Sequence, residues 1–404
     1  MSLPSEFVCP LPWISIETTP LGTVRPCCLA QDHLAPLDQP EEPYSLKTMD
    51  LSTAYMSKSM RDLRAEFRSG AKPKTCSRCW AEESAGRTSK RMYSIMKFKN
   101  ELDKIDWDND APEQLWFLDL KLGNLCNLKC RICGSWSSSK WAQEDIAFEK
   151  NPNKKLTRSY GMLKQGAWPT DNEQFWVDLA NIMPSVKYIE FSGGEPFMVI
   201  QHFDILKNAV DTGIAGDISL HYNTNATMVP ELENVWKHFK RVEIAFSIDN
   251  VGERFDFERS GASWQYVEKN IQAFKEMAAR QPNIHLQSCT TINAQNAYYL
   301  PETVSWLSQQ NFEFVYLNML HDPSFMSVTN LTPAAKELIL EKLSLNNFQP
   351  MYHHEITGVR TFIEQGAGSD GSAFRAFMNR VDDYRGENFV KLYPEVAKAM
   401  GYDI

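Results

Sequence analysis

The sequence predicts an α/β fold: an incomplete parallel (β/α) barrel of six units, preceded by a cysteine-rich N-terminal module and followed by a mainly helical C-terminal extension. Three observations point there. Strand-like apolar runs alternate with helix-length segments six times between residues 115 and 320. Six units are fewer than the eight of a full barrel, which typically needs about 250 residues. The chain of 404 residues is long enough for further domains on either side, with boundaries expected near residues 110 and 325.

The elements follow in order. Residues 1–104 begin loop-rich and hold Cys9, Cys27, Cys28, Cys76 and Cys79. Met56, Met60, Leu63 and Phe67 fall at helical spacing, and Gly70 and Pro73 stop that helix. From Ala54 to Lys104 there are thirteen Lys/Arg against six Asp/Glu. This excess reads as a solvated helix face, or else as a surface for an acidic peptide or nucleic acid near the cysteines. The acidic run Asp106–Glu113, with Pro112, reads as a linker. Strands are expected at Leu115–Leu120, Val186–Phe191, Ile218–Tyr222, Val242–Ile248, Ile284–Thr290 and Phe312–Leu317. Helices are expected between them at Phe175–Met183, Ile200–Val210, Glu231–Phe239, Trp264–Ala279 and Leu300–Gln310. Gly366–Gly371 matches G-x-G-x-x-G. The chain after Gly371 is too short for a further βαβ unit, so it reads as a flexible loop.

Composition narrows the function classes. Hydrophobic residues make up 43% and charged residues 23%, which excludes a mostly disordered or fibrous chain. No run approaches the ~20 apolar residues of a membrane span. The first thirty residues show no secretory signal. With a net charge of -9, nucleic acid is not the expected partner. Nine cysteines are too few for a disulfide scaffold, and seven of them sit in three tight groups. That pattern suits metal binding in a reducing cytoplasm.

The strongest chemical signal is Cys126-Asn-Leu-Lys-Cys130-Arg-Ile-Cys133, directly after the first predicted barrel strand. Soft thiolates select zinc, copper(I) or iron–sulfur clusters. A structural zinc would want a fourth ligand, and no nearby His or Cys supplies one. Three cysteines suit a cubane cluster with one iron left open, at the end of the barrel where such folds keep active sites. This segment resembles the CxxxCxxC motif of the radical S-adenosylmethionine (SAM) superfamily, with Ile132 where the family often has an aromatic residue. The resemblance covers most of residues 115–320. It implies a [4Fe–4S] cluster on Cys126, Cys130 and Cys133, whose open iron chelates SAM and delivers the electron that releases a 5′-deoxyadenosyl radical.

Further segments match in order. Gly193-Gly194-Glu195-Pro196, after the second predicted strand, resembles the family's GGEP motif. Glycines let a backbone approach a ligand, Glu195 offers an acceptor for an ammonium group, and Pro196 stiffens the turn. By resemblance this segment binds the SAM amino group. Tyr222-Asn-Thr-Asn225-Ala226-Thr227 is similar to the family's Thr-Asn-Gly segment, with Ala226 in the glycine position. Ser247-Ile-Asp249 resembles its Ser-x-Asp, suited to ribose hydroxyls or polar substrate groups. Arg259 matches an arginine that pairs with the SAM carboxylate in relatives, a role that fits a bidentate guanidinium fork.

The N-terminal cysteines form a second set. Cys9, Gly22, Cys27 and then Cys76-Ser-Arg-Cys79 resemble the twitch/SPASM auxiliary-cluster spacing of radical SAM enzymes, here placed before the barrel instead of after it. Four thiolates suffice for one closed [4Fe–4S] cluster. Gly22 would supply a tight turn. Cys28 competes with Cys27 as the ligand, and a four-cysteine zinc site is the alternative to a cluster.

The resemblance implies a radical SAM enzyme that abstracts a hydrogen atom from a substrate. The expected substrate is a peptide or protein, oxidised or crosslinked. The expected partner is a reducing electron donor such as a flavodoxin or ferredoxin. A dehydrogenase of a small molecule and a non-catalytic two-cluster electron carrier are the alternatives. Cys289, on the fifth predicted strand, reads as a small buried hydrophobe or as a hydrogen-atom donor facing the barrel interior. The eight histidines show no ligand spacing.

Overall fold

The computed structural model describes residues 3–36, 39, 41–110, 112, 115–150, 153–170 and 172–403. Of the expected linker, residues 111 and 113 lie outside that set. The strands are β1 (Ser15–Thr18), β2 (Val24–Arg25), β3 (Phe117–Leu120), β4 (Tyr188–Phe191), β5 (Ser219–Thr224), β6 (Arg241–Ser247), β7 (Ile284–Ile292) and β8 (Phe314–Met319). They form one sheet in the order β2-β1-β3-β4-β5-β6-β7-β8. Every neighbouring pair is parallel except β1 with β2. Among the described residues, no helix is long and apolar enough to cross a membrane.

All six predicted barrel strands are present, as β3 to β8. Two more come from N-terminal residues read as loop. β1 pairs in parallel with β3, Ser15 opposite Phe117. Four residues between Pro12 and Pro20 give too short an apolar alternation to read as a strand. Gly22 makes the turn into β2 with φ +83, a conformation that suits glycine.

The helices follow the apolar periodicity with two corrections. The predicted helix through Met56, Met60, Leu63 and Phe67 is α2 (Lys58–Arg68), with Met56 left outside it as the C-cap of a short preceding helix, α1 (Leu51–Tyr55). Ser57 separates them, because its hydroxyl accepts from the Met60 N–H and caps α2. The expected helix Glu231–Phe239 shrinks to Glu233–Trp236, since the chain turns at Phe239 and Lys240 N already bonds to Ile218 O at 3.0 Å. Further elements near the sites are α3 (Ser77–Ser84), α4 (Lys90–Lys97) and α5 (Ser139–Phe148). On the outer side α6 (Trp264–Arg280) buries Val267, Ile271, Phe274 and Met277, one stripe at helical spacing. In the C-terminal extension, α7 (Ser372–Arg385) follows the 366–371 loop, which is a loop as expected.

Strand alternation sorts side chains between the two faces of the sheet. Leu118, Ile189, Leu220 and Val242 lie level with one another and are buried in the main apolar core. One residue further on, Glu17, Asp119, Glu190, His221, Glu243 and His285 form a continuous polar row across six strands. Buried carboxylates need partners, and the row has them. Lys121 reaches Glu17 at 2.6 Å and Asp119 at 3.0 Å. From α4, Lys90 pairs with Glu190 and Lys97 with Glu243, each at 3.0 Å. Burial alone would raise the Glu190 carboxyl, but Lys90, His221 and Lys121 together outweigh it and hold the group at about 2. The N-terminal helix α4 is thus tied by charge to the polar face of the barrel.

A second apolar core joins β7 and β8 to the C-terminal helices through Ile292, Leu317, Met319, Ile339, Val359 and Met378. Fully burying each such side chain contributes roughly 1.5–3 kcal/mol.

Candidate active site

The loop after β3 carries Cys126, Cys130 and Cys133, the first two buried and the third half-buried. Backbone and side-chain bonds fix its path. Asn124 Nδ2 donates to Ser135 O at 3.0 Å and Met162 O at 2.8 Å. Ser138 Oγ donates to Leu128 O at 2.5 Å, and Trp141 Nε1 to Cys130 O at 2.6 Å. Ser138 also caps α5, so the helix start and the loop hold each other.

Gly193, Gly194, Glu195, Pro196, Asn225, Ser247 and Asp249 lie at the C-terminal ends of β4, β5 and β6 or just beyond, and Arg259 caps the short helix Gly252–Glu258 that follows. Gly193 (φ +73) and Gly194 (φ +46) bring the chain against the cysteine loop. A Cβ on Gly194 would sit 2.3 Å from Leu125 O, and one on Gly193 would sit 2.7 Å from Lys121 Cβ. That closeness lets Glu195 N donate to Leu125 O at 2.7 Å. Pro196 opens the short 3-10 turn Pro196–Met198. Glu195 is fully buried and accepts from Thr224 Oγ1 and Asn225 N, both at 2.8 Å. Burial pushes its carboxyl up to about 7.

Asn225 Nδ2 lies 4.0 Å from Cys126 Sγ and donates to Asn127 Oδ1 at 3.0 Å. Ala226 takes φ +57, which accounts for the glycine expected at that position. Ser247 ends β6, and its backbone is level with Cys289 on β7. Both are half-buried, so Cys289 is not the fully buried hydrophobe that one reading expected. Asp249 Oδ2 accepts from Arg259 Nη2 at 2.6 Å, and its Oδ1 accepts from Thr291 N at 2.8 Å. Arg259 Nη1 lies 4.0 Å from Cys130 Sγ. The structure therefore gathers the cysteines, Glu195, Asn225, Asp249 and Arg259 at one end of the sheet. Asn127, Thr224 and Thr291 belong to the same network and were not singled out. Asn127 lies inside the cysteine motif, which was the only signal available for it.

These residues fit an iron–sulfur cluster and SAM on chemical grounds. Burial raises the Cys126 thiol to about 12, so its thiolate form needs a nearby cation. The buried Arg259 Nε has no hydrogen-bond partner, and Nη1 faces the cysteines. A guanidinium left partly unpaired in a buried site suits an incoming carboxylate.

The N-terminal cysteines gather elsewhere. Cys9, Cys27, Cys76 and Cys79 line one cavity, with Lys90 and Arg91 also on its wall. Cys28 is not on that wall; its charged neighbours are Lys90, Asp119 and Lys121. Burial raises all four cavity thiols, Cys27 and Cys79 to about 11. Among the described residues, no three His, Cys, Asp or Glu are arranged to hold a single metal ion. Gly22 serves the β1–β2 turn and packs near Trp168 rather than lining the cavity.

Comparison with known proteins places this geometry. Residues 120–292 match the family model described as the Radical SAM superfamily. No curated protein matches the chain. Among solved structures it is similar to native anSMEcpe with bound AdoMet, at 17% identity over 56% of this chain and 58% of that one, with a TM-score of 0.36. It is similar to native anSMEcpe with bound AdoMet and Cp18Cys peptide, at 15% identity over 55% and 56%, with a TM-score of 0.35. It is also similar to Streptococcus suis SuiB bound to S-adenosylmethionine, at 14% identity over 55% and 42%, with a TM-score of 0.29. The chain spans less than two thirds of the length of each of these structures. Residues 120–292 thus carry the match to the Radical SAM superfamily, a superfamily that implies SAM and a [4Fe–4S] cluster.

Proposed function

We propose that the enzyme abstracts a hydrogen atom from a peptide or protein substrate, with Cys126, Cys130 and Cys133 as ligands of the SAM-binding cluster and an auxiliary [4Fe–4S] cluster on Cys9, Cys27, Cys76 and Cys79. The observation that carries the first part is the convergence of Asn225 and Arg259 on the cysteine loop, each 4.0 Å from a cluster thiol. When bound, the cluster supplies one electron for reductive cleavage of SAM and so a 5′-deoxyadenosyl radical.

The protein's residues bind and orient. Glu195, ionised, accepts the SAM ammonium group. Arg259, held at Nη2 by Asp249, offers the carboxylate a donor from Nη1, the nitrogen that faces the cysteines. Asp249 is itself fixed by Thr291 N, so the fork is aimed before SAM arrives. Ser247 and Asn225 offer polar contacts beside them. Gly193 and Gly194 keep side chains out of the space against the cysteine loop. Cys289 lies level with Ser247 on the neighbouring strand.

The auxiliary cluster rests on a shared cavity for four cysteines that come from three separate stretches of chain. Four thiolates around one cavity suffice for a closed [4Fe–4S] cluster, and iron content separates that cluster from a four-cysteine zinc site. The cavity also supports Cys27 over Cys28. The resemblance to radical SAM enzymes with auxiliary clusters, which often modify peptides or proteins, is what favours that substrate class over a small molecule. An electron carrier alone has no use for a buried Glu195 and a half-paired Arg259.

The test is anaerobic reconstitution followed by dithionite and SAM, alone and with candidate peptides. Formation of 5′-deoxyadenosine, increased by peptide, supports the proposal. Cleavage increased only by small alcohols would move the substrate to the small-molecule class, and intact SAM throughout would leave an electron carrier.

A further inference from the structure

We propose that the C-terminal end of α7 is a clamp on the cluster loop, with Arg131, Arg385 and Glu387 as positioning residues that set the affinity for SAM. The inference rests on the reading that Cys126, Cys130 and Cys133 hold the cluster.

The loop at 129–131 is tied on two sides. On one side, Lys129 N donates to Ser260 O at 3.0 Å and Arg131 N to Glu258 O at 2.8 Å. These bonds lay the cluster loop along the segment that contains Arg259. On the other side stands α7. Arg385 Nη2 donates to Lys129 O at 2.9 Å while pairing with the buried Glu144 at 2.8 Å. The guanidinium of Arg131, fully buried between two cluster cysteines in sequence, pairs with Asp382 at 2.5 Å and with Glu387. It lies 3.7 Å from the Phe257 ring centroid.

Glu387 closes the arrangement. One of its oxygens accepts from Arg131, the neighbour of Cys130, and the other accepts from Ser260 Oγ at 3.0 Å, the neighbour of Arg259. A single carboxylate thus spans the cluster loop and the loop assigned to the SAM carboxylate. The local sequence puts it there. α7 ends at Gly386 in the left-handed region, φ +65, and Glu387 N returns to Asp382 O at 3.1 Å. This helix-ending turn swings Glu387 back toward the loop, and glycine is the residue that permits it.

The consequence is geometric. Arg259 can meet the carboxylate of a cluster-bound SAM only if it keeps its place relative to the thiolates. A displacement of about 1 Å in a positioning group can cost about 100-fold in a reaction. Loosening the clamp should therefore weaken SAM binding before it costs iron.

The test uses the full-length, anaerobically reconstituted protein. Glu387→Ala removes both contacts, and Glu387→Gln keeps an acceptor but drops the charge. Glu395→Gln is the control: it loosens a 2.6 Å contact with Tyr299 elsewhere in the C-terminal extension. Each is measured for iron content, Tm and the dissociation constant of labelled SAM by equilibrium dialysis. The clamp predicts about tenfold weaker SAM binding for Glu387→Ala, a smaller loss for Glu387→Gln, full iron in both, and unchanged SAM affinity for Glu395→Gln. A folded, iron-replete Glu387→Ala protein that binds SAM like wild type overturns the clamp. If that variant does not fold, Glu387→Gln with wild-type affinity overturns it equally. Wild-type protein with no iron on the three cysteines overturns the cluster reading and the clamp together, a result distinct from either of those.

Discussion

Replacing Gly194 with alanine tests how the GGEP turn meets the cysteine loop. Two costs add. Gly194 has φ +46, in the left-handed region, where an L-residue pays roughly 1–2 kcal/mol. The new Cβ would also stand 2.3 Å from Leu125 O, 3.0 Å from Leu125 C and 3.1 Å from Leu125 N. Those are backbone atoms, so relief requires moving the loop that carries Cys126. Overpacking of this kind costs roughly 1–3 kcal/mol. Together the change is worth about 2–5 kcal/mol, and it breaks the Glu195 N to Leu125 O bond of 2.7 Å. Gly213→Ala is the matched control: its φ is +76, and a Cβ there meets nothing within 4 Å. The control pays the backbone cost alone. Thermal denaturation and 5′-deoxyadenosine formation are measured for both. We expect Gly194→Ala to be the less stable of the two by about 1–3 kcal/mol and to lose about 100-fold in SAM cleavage, with Gly213→Ala close to wild type in cleavage. Equal stability and activity in the two variants would refute the close-contact reasoning.

Other outcomes follow from single residues. Ala226→Gly relieves a φ of +57 and should raise Tm by about 1–2 °C in a melting curve; a drop would show that the strain is not there. Glu195 has its carboxyl raised to about 7 from 4.5. A raised carboxyl stabilises the fold most below pH 4.5, and that contribution is lost as pH rises through 7. SAM binding, which needs the ionised form, should weaken as pH falls below about 7, and Glu195→Gln should flatten that dependence; a parallel pH profile in the variant would remove Glu195 from the ammonium site. Cys28→Ala should leave the iron content unchanged while Cys27→Ala lowers it, because only Cys27 lines the cavity; the reverse result would exchange their roles.

Much of this was legible in the chain because period and spacing are local. Six apolar runs announced β3 to β8, and the cysteine motif announced its own loop. β1 and β2 escaped notice because four and two residues between prolines and glycine carry too little alternation. Spacing favours Cys27 over its neighbour Cys28, and the direction of their side chains, which spacing does not show, puts Cys27 on the cavity wall. Lys90 joins the cysteine cavity to Glu190 across 100 residues of chain. Arg131 meets Glu387 across 256 residues. Such pairs leave no mark in a single sequence, because each partner alone reads as a solvated charge. Ala226 was the informative departure: the family's glycine marks a left-handed position, and this chain adopts that conformation without glycine.

The most direct measurement is iron per chain in anaerobically reconstituted protein, for wild type and for the Cys126→Ala, Cys130→Ala, Cys133→Ala variant. Two four-iron clusters predict about eight iron atoms in wild type and about four in the variant, with SAM binding lost in the variant. A variant that kept the wild-type iron load and still bound SAM would contradict the assignment of those three cysteines.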